Sequence, residues 1–125
     1  MYQGAKEKGY KKLVVLNEAS ELVDLVYKYT KDFPKNEEYG LTSQLRRAVL
    51  SVPLNIVEGQ ASISKREFLN FLNIANRSLV ETEYLLETAL RLGYLTSERF
   101  RELDFKRRKI GIHLHNLLVS VRASI

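Results

Sequence analysis

The sequence predicts an all-α protein, an antiparallel up-down-up-down bundle of four helices. Three observations lead there. No segment alternates apolar and polar residues with period 2, so no strand is expected. Apolar positions instead recur at spacings of three and four through four long stretches. The breaks between them are short and carry Pro34, Gly40, Gly59 and Gly93, and short links between long helices favour antiparallel neighbours.

Residues 1–11, with Gly4, Gly9, Lys6, Lys8 and Lys11, read as a flexible basic tail, and 12–125 as a single bundle domain. A first helix is expected from Leu13 to about Asp32, with Leu13, Leu16, Val23 and Val26 or Tyr27 as its apolar positions. The stretch DFPKNEEYG then interrupts the pattern, because Pro34 cannot continue a helix and Gly40 permits a turn. The second helix, LTSQLRRAVLSVPLNIVEG, is opened by Thr42 or Ser43 and closes near Gly59. Ser64-Lys65-Arg66-Glu67 has the form of a capping box and starts a third helix running to Leu92, where Gly93 supplies a left-handed stop. Thr96 or Ser97 caps a fourth, to about Arg122, along the line Phe100, Leu103, Arg107, Ile110, Leu114, Leu117 and Val121.

Two of these helices are apolar on more than one side. On the second, Leu45, Ala48, Val49, Val52 and Ile56 form one face, and Leu50, Leu54 and Val57 another. On the third, Phe68, Leu72, Ala75, Leu79 and Leu86 form one face, and Phe71, Ile74, Leu85 and Leu92 a second. One stripe suffices for the core of a bundle. The surplus predicts burial against further copies, hence a homo-oligomer. Between the faces runs a polar seam: Gln44, Arg47, Ser51, Asn55 and Glu58 on the second helix, and Asn73, Arg77 and Glu81 with Asn70 and Tyr84 on the third. The seams either pair their charges with each other or a neighbouring subunit, or form a ligand pocket; with no nucleophile-base pair in sight the structural role is favoured. Pro53 lies on the wheel roughly opposite the seam and is expected to kink the helix around the core.

Composition narrows the function. Without cysteine there is no disulfide framework and no thiolate metal site, and no apolar run reaches the ~18 residues of a membrane span. The basic start MYQGAKEKGYKK lacks the apolar segment of a secretory signal. The expected setting is cytoplasmic, with no membrane partner and no cofactor. No phosphate loop, nucleophile elbow or Glu-x-x-His metal motif occurs, so no enzymatic activity is expected. His113 and His115, two residues apart on a helix, diverge and make a poor shared metal site. A net charge of +5 and a pI near 9.5 suit an anionic partner. The densest cationic run is Lys106-Arg107-Arg108-Lys109, which reads either as a solvated face with Arg107 paired or snorkelling, or as a phosphate-contacting surface. In the second case Lys106, Arg108 and Lys109 join Arg46, Lys65 and Arg66 as candidate nucleic-acid contacts.

The blocks FPKNEEYGLTSQLRRAVLSVPLNIVEG and FLNIANRSLVETEYLLETALRLGYL resemble the 23S rRNA intervening-sequence proteins, over residues from about 13 to 95. Phe33-Pro34, Tyr39-Gly40-Leu41-Thr42, Gln44 to Ala48, Pro53, Asn55-Ile56 and Glu58-Gly59 carry the likeness. Val57 replaces the usual alanine, Asn76-Arg77 the usual Arg-Gly, and Leu16 a common tryptophan. The resemblance implies an antiparallel four-helix bundle assembled as a ring, commonly a pentamer. A related four-helix pentamer, the accessory protein of diversity-generating retroelements, binds nucleic acid and a reverse transcriptase. By that analogy RNA or DNA is the expected partner, and a protein-interaction scaffold is the alternative.

Overall fold

The computed structural model describes residues 3–125, with side chains from Gly9 onward. Four helices account for nearly all of them: α1 (Gln3–Thr30), α2 (Leu41–Gln60), α3 (Lys65–Arg91) and α4 (Ser97–Ala123), with a single 3-10 turn at Lys35–Glu37 and no strand among the described residues. Each helix packs on two others, giving the order α1, α2, α3, α4 around the bundle. Residues 1 and 2 of the expected tail lie outside the described residues, and over 3–11 the backbone already belongs to α1.

Local chemistry explains most boundaries. The Ser64 Oγ accepts the Glu67 amide at 3.1 Å, and the Thr96 Oγ1 accepts that of Arg99 at 3.1 Å, each satisfying one of the orphan donors of a helix start. Gly93, at φ 80°, donates to the Leu90 carbonyl, and Tyr94 donates to that of Ala89 at 2.8 Å. That pair of bonds turns the chain sharply out of α3 and needs the left-handed backbone glycine tolerates.

Two boundaries correct the sequence reading. Neither Thr42 nor Ser43 caps α2: Gly40 is its N-cap, and the Leu41 amide is taken by the Glu37 Oε1 at 3.2 Å. Gly59 is no stop either, since α2 continues to Gln60. It is buried against α3, where a Cβ would meet the Phe68 ring at 2.7 Å and the Phe71 Cβ at 3.1 Å. Glycine is required there for close helix approach. The helix also runs unbroken through Pro53, which is buried, so the proline interrupts one backbone hydrogen bond without ending the element.

The core contains Leu45, Val49, Val52 and Ile56 from α2, Leu72, Ala75, Leu79 and Leu86 from α3, and Leu103, Ile110, Leu114, Leu117 and Val121 from α4, as the periodicities predict. On α1 the expected Val26 is buried, but its companions on the inward face are Val15, Ala19 and Leu22. Leu13 is exposed, and Leu16 and Val23 are half-buried at its margin. Apolar residues stand on several sides of α1, so spacing alone selects the wrong stripe, whereas Ala19 permits the approach of neighbouring helices. The surplus faces divide: Leu85 is buried and Phe71 and Ile74 half-buried, but Leu50, Leu54, Val57 and Leu92 remain exposed.

Candidate nucleic-acid interface

The candidate cations fall into two groups with different surroundings. On α4 the basic run is neutralised from within the chain. Arg107, only 13% exposed, reaches Asp104 at 2.8 Å and Glu83 at 3.1 Å, and Arg108 reaches Asp104 at 2.9 Å. Lys106 lies 3.8 Å from Glu21, and Lys109 lies 3.8 Å from Glu18. Glu18 also holds the His113 Nδ1 at 2.6 Å, while His115 is exposed. Arg99 completes the set through Asp32 at 2.7 Å. Among the described residues every ion pair takes its cation from α4.

Among the described residues, the other candidate cations have no carboxylate within ion-pairing distance. Arg66 is exposed in the first turn of α3, and the neighbouring Lys65 donates its Nζ to the Ser124 carbonyl at 3.1 Å. Arg46 is half-buried and closes the end of α1, with its Nε donating to the Thr30 Oγ1 at 2.8 Å and its Nη2 to the Tyr27 carbonyl at 3.4 Å. Its guanidinium stacks over the Tyr27 ring, 4.8 Å from the centroid. A cation at a helix C-terminus complements the partial negative charge there, so Arg46 has a structural role whatever it binds.

The seams come together only partly. A groove of about 510 Å³ is lined by Gln44, Arg47 and Ser51 of α2, by Ser78 and Glu81 of α3, and by the almost fully exposed ring of Tyr39. Across it the Ser51 and Ser78 hydroxyls share a hydrogen bond of 2.7 Å, and Asn55 donates to the Ser51 carbonyl and hydroxyl at 2.8 and 2.9 Å. Among the described residues, Arg47, Glu58, Arg77 and Glu81 stay exposed with no ion-pair partner, so the pairing within one chain that was one form of the expectation is not formed there. Asn73 is half-buried outside this network. Ser78, absent from the seam drawn on the wheel, is the α3 residue whose side chain hydrogen-bonds to α2. Its neighbour Thr82, fully buried and donating to the Ser78 carbonyl at 2.8 Å, marks that side of the helix; the spacing Ser78–Thr82 was the available signal.

A further network ties the helix ends together. The Tyr94 hydroxyl donates to the Glu37 Oε2 at 2.8 Å, while Tyr29 donates to Glu102. Each carboxylate partner disfavours the phenolate, so both tyrosines titrate above the ordinary range near 10. Among the described residues no group of three or more His, Asp or Glu side chains is placed to hold a metal, and no helix is long and apolar enough to cross a membrane.

These features define a class first: a four-helix protein of formal net charge +5 with a polar groove between its second and third helices. The chain belongs to the family of 23S rRNA-intervening sequence proteins, whose sequence profile matches residues 11–116. It is similar to a crystal structure from Bacteroides thetaiotaomicron, described as a protein of unknown function from the S23 ribosomal protein family. The two share 30% identity over 86% of this chain and 97% of that one, with a TM-score of 0.78. A search of curated proteins returned no match.

Proposed function

We propose that the protein is a non-enzymatic nucleic-acid-binding protein, RNA-associated, built as an antiparallel up-down-up-down bundle that assembles into a ring, in its family commonly a pentamer. The observation that carries the binding reading is the distribution of charge. On α4, Arg99 and the run Lys106 to Lys109 are matched by carboxylates, leaving only the scattered Arg101 and Arg122, whereas Lys31, Lys35, Arg46, Arg47, Lys65 and Arg66, on and between α1, α2 and α3, have no such partner among the described residues. Unmatched cations leave a field for phosphates, and such contacts are largely independent of sequence. The α4 run of Lys106, Arg108 and Lys109 adds to that field with part of its charge already shared. The family and neighbour names, which refer to rRNA and to a ribosomal protein family, point the same way. Antiparallel packing is supported by the opposed order of contacts that α1 and the turn after it make with α4: Glu18 with His113, Glu21 with Lys106, Asp32 with Arg99.

The test is binding to a folded rRNA fragment and to an unrelated RNA of equal length at several salt concentrations. The expected result is tight binding to both near physiological salt, weakening steeply as salt rises, with a logarithmic slope of about −0.7 to −0.9 per phosphate contacted. A difference between the two RNAs would reveal specificity. Absence of binding at low salt would overturn the reading and favour a protein-interaction scaffold, its basic surface serving an acidic polypeptide or solubility.

A further inference from the structure

We infer that the cleft where α1 ends and α2 begins is a phosphate-binding pocket. The inference deepens the nucleic-acid reading, although the pocket itself rests on separate observations. A cavity of about 390 Å³ opens there, lined by Lys31 and Lys35 from the connecting turn, Thr30 from α1, Glu38, and Thr42 and Arg46 from α2. That size lies toward the lower end of ligand pockets, about 300–1,000 Å³.

Three cations thus face one carboxylate across the cleft, a formal balance of three minus one, or +2. None of the three is held by an acidic side chain within 4.0 Å among the described residues. Arg46 uses its Nε and Nη2 on α1, and a guanidinium carries five N–H donors in a fixed fork, so donors remain for an oxyanion. It is also held in place by those two bonds and by the Tyr27 ring, which lowers the entropic cost of engaging a ligand. The two lysines, both exposed, add their charge from the connecting turn.

Thr42 is the second, independent sign. It is only 7% exposed, yet its hydroxyl is buried with no hydrogen-bond partner among the described residues. A buried hydroxyl left unsatisfied is disfavoured, and here it belongs to a residue lining a cationic cleft. Thr42 also stands in the first turn of α2, where amides have no acceptor within the helix and the dipole favours an anion. A phosphate oxygen would answer the cations and this helix start together.

The phosphate can come from a nucleic-acid backbone or from a free phosphorylated small molecule, and one set of titrations separates them. Wild-type protein is compared with Lys31→Gln/Lys35→Gln, which leaves Arg46 and its bonds to α1 intact, and with Lys106→Gln/Lys109→Gln as a control of equal charge loss. Each is titrated with inorganic phosphate at constant ionic strength, followed by amide chemical shifts, and with a single-stranded RNA. The expected result is a phosphate response centred on Thr30 to Arg46 that the first double variant loses and the control keeps. If a nucleic acid is the source, RNA affinity falls about 10-fold in the first variant, with a salt slope shallower by about 2, and by a clearly smaller factor in the second, whose lysines already share their charge with Glu21 and Glu18. A phosphate response accompanied by equal RNA binding in both variants, or by no RNA binding in any protein, assigns the pocket to a free phosphoryl ligand; the latter also removes the nucleic-acid reading. No phosphate response at the cleft overturns the pocket, and RNA binding by the wild type would then leave the broader reading standing on other cations.

Discussion

Tyr94 shows how one side chain links distant parts of the chain through an ionisable group. Its hydroxyl donates to Glu37, and the same carboxylate receives the first amide of α2, while the Tyr94 ring packs 5.5 Å from that of Phe33. The turn after α3 is thereby fastened to the start of α2. Because Glu37 raises the folded-state pKa of Tyr94 above its unfolded value, the associated stability is fully present below about pH 10 and is lost as pH rises through the elevated folded value. Tyr29, raised by Glu102, acts with the same sign. Tyr94→Phe is therefore expected to melt lower than wild type at neutral pH yet to lose less stability as pH is raised toward 11. Thermal unfolding of both proteins across that range is the check, and parallel curves would remove Tyr94 from the account.

At the scale of elements, what could be read in the sequence was what depends on neighbours along the chain. The Ser64 and Thr96 caps, the Gly93 turn and the inward stripes of α2, α3 and α4 all follow from chemistry within one or two turns. What escaped depends on another helix. Glycine at 59 reads as a helix end until Phe68 and Phe71 are known to lie against it; the α1 stripe is ambiguous until Ala19 is seen to face the core. The cationic cleft joins Lys31 and Lys35 to Arg46 only after the turn folds back, so just one of its three cations was a candidate from the sequence. Gly59→Ala tests the packing reading directly. Propensity alone would favour alanine by roughly 0.5–1 kcal/mol, but the Cβ would sit 2.7 Å from the Phe68 ring. Overpacking of this kind costs typically 1–3 kcal/mol, so a lower midpoint in chemical denaturation is expected. A midpoint at or above wild type would mean that α2 and α3 separate there easily.

For the whole molecule, the unresolved contrast is between a finished core and an unfinished surface. Leu50, Leu54 and Val57 of α2 are 43%, 48% and 48% exposed, and on α3 Val80 and Tyr84 are 59% and 61% exposed. Arg47, Glu58, Arg77 and Glu81, also exposed on these two helices, find no ion-pair partner among the described residues. Apolar side chains with complementary charges beside them are what an interface between like subunits needs, since burial supplies roughly 25 cal/mol per Å² and the charges set orientation. On the proposed ring, Leu54→Asp/Val57→Asp would place two carboxylates per subunit against apolar surface. Light scattering is expected to show a smaller species, with helix content by circular dichroism unchanged because neither residue belongs to the core. An undiminished mass would move the interface away from α2. Dissociation would bear on binding as well: a ring repeats each phosphate cleft, so the separated subunits should lose far more affinity for a long RNA, which engages several clefts, than for inorganic phosphate, which occupies one.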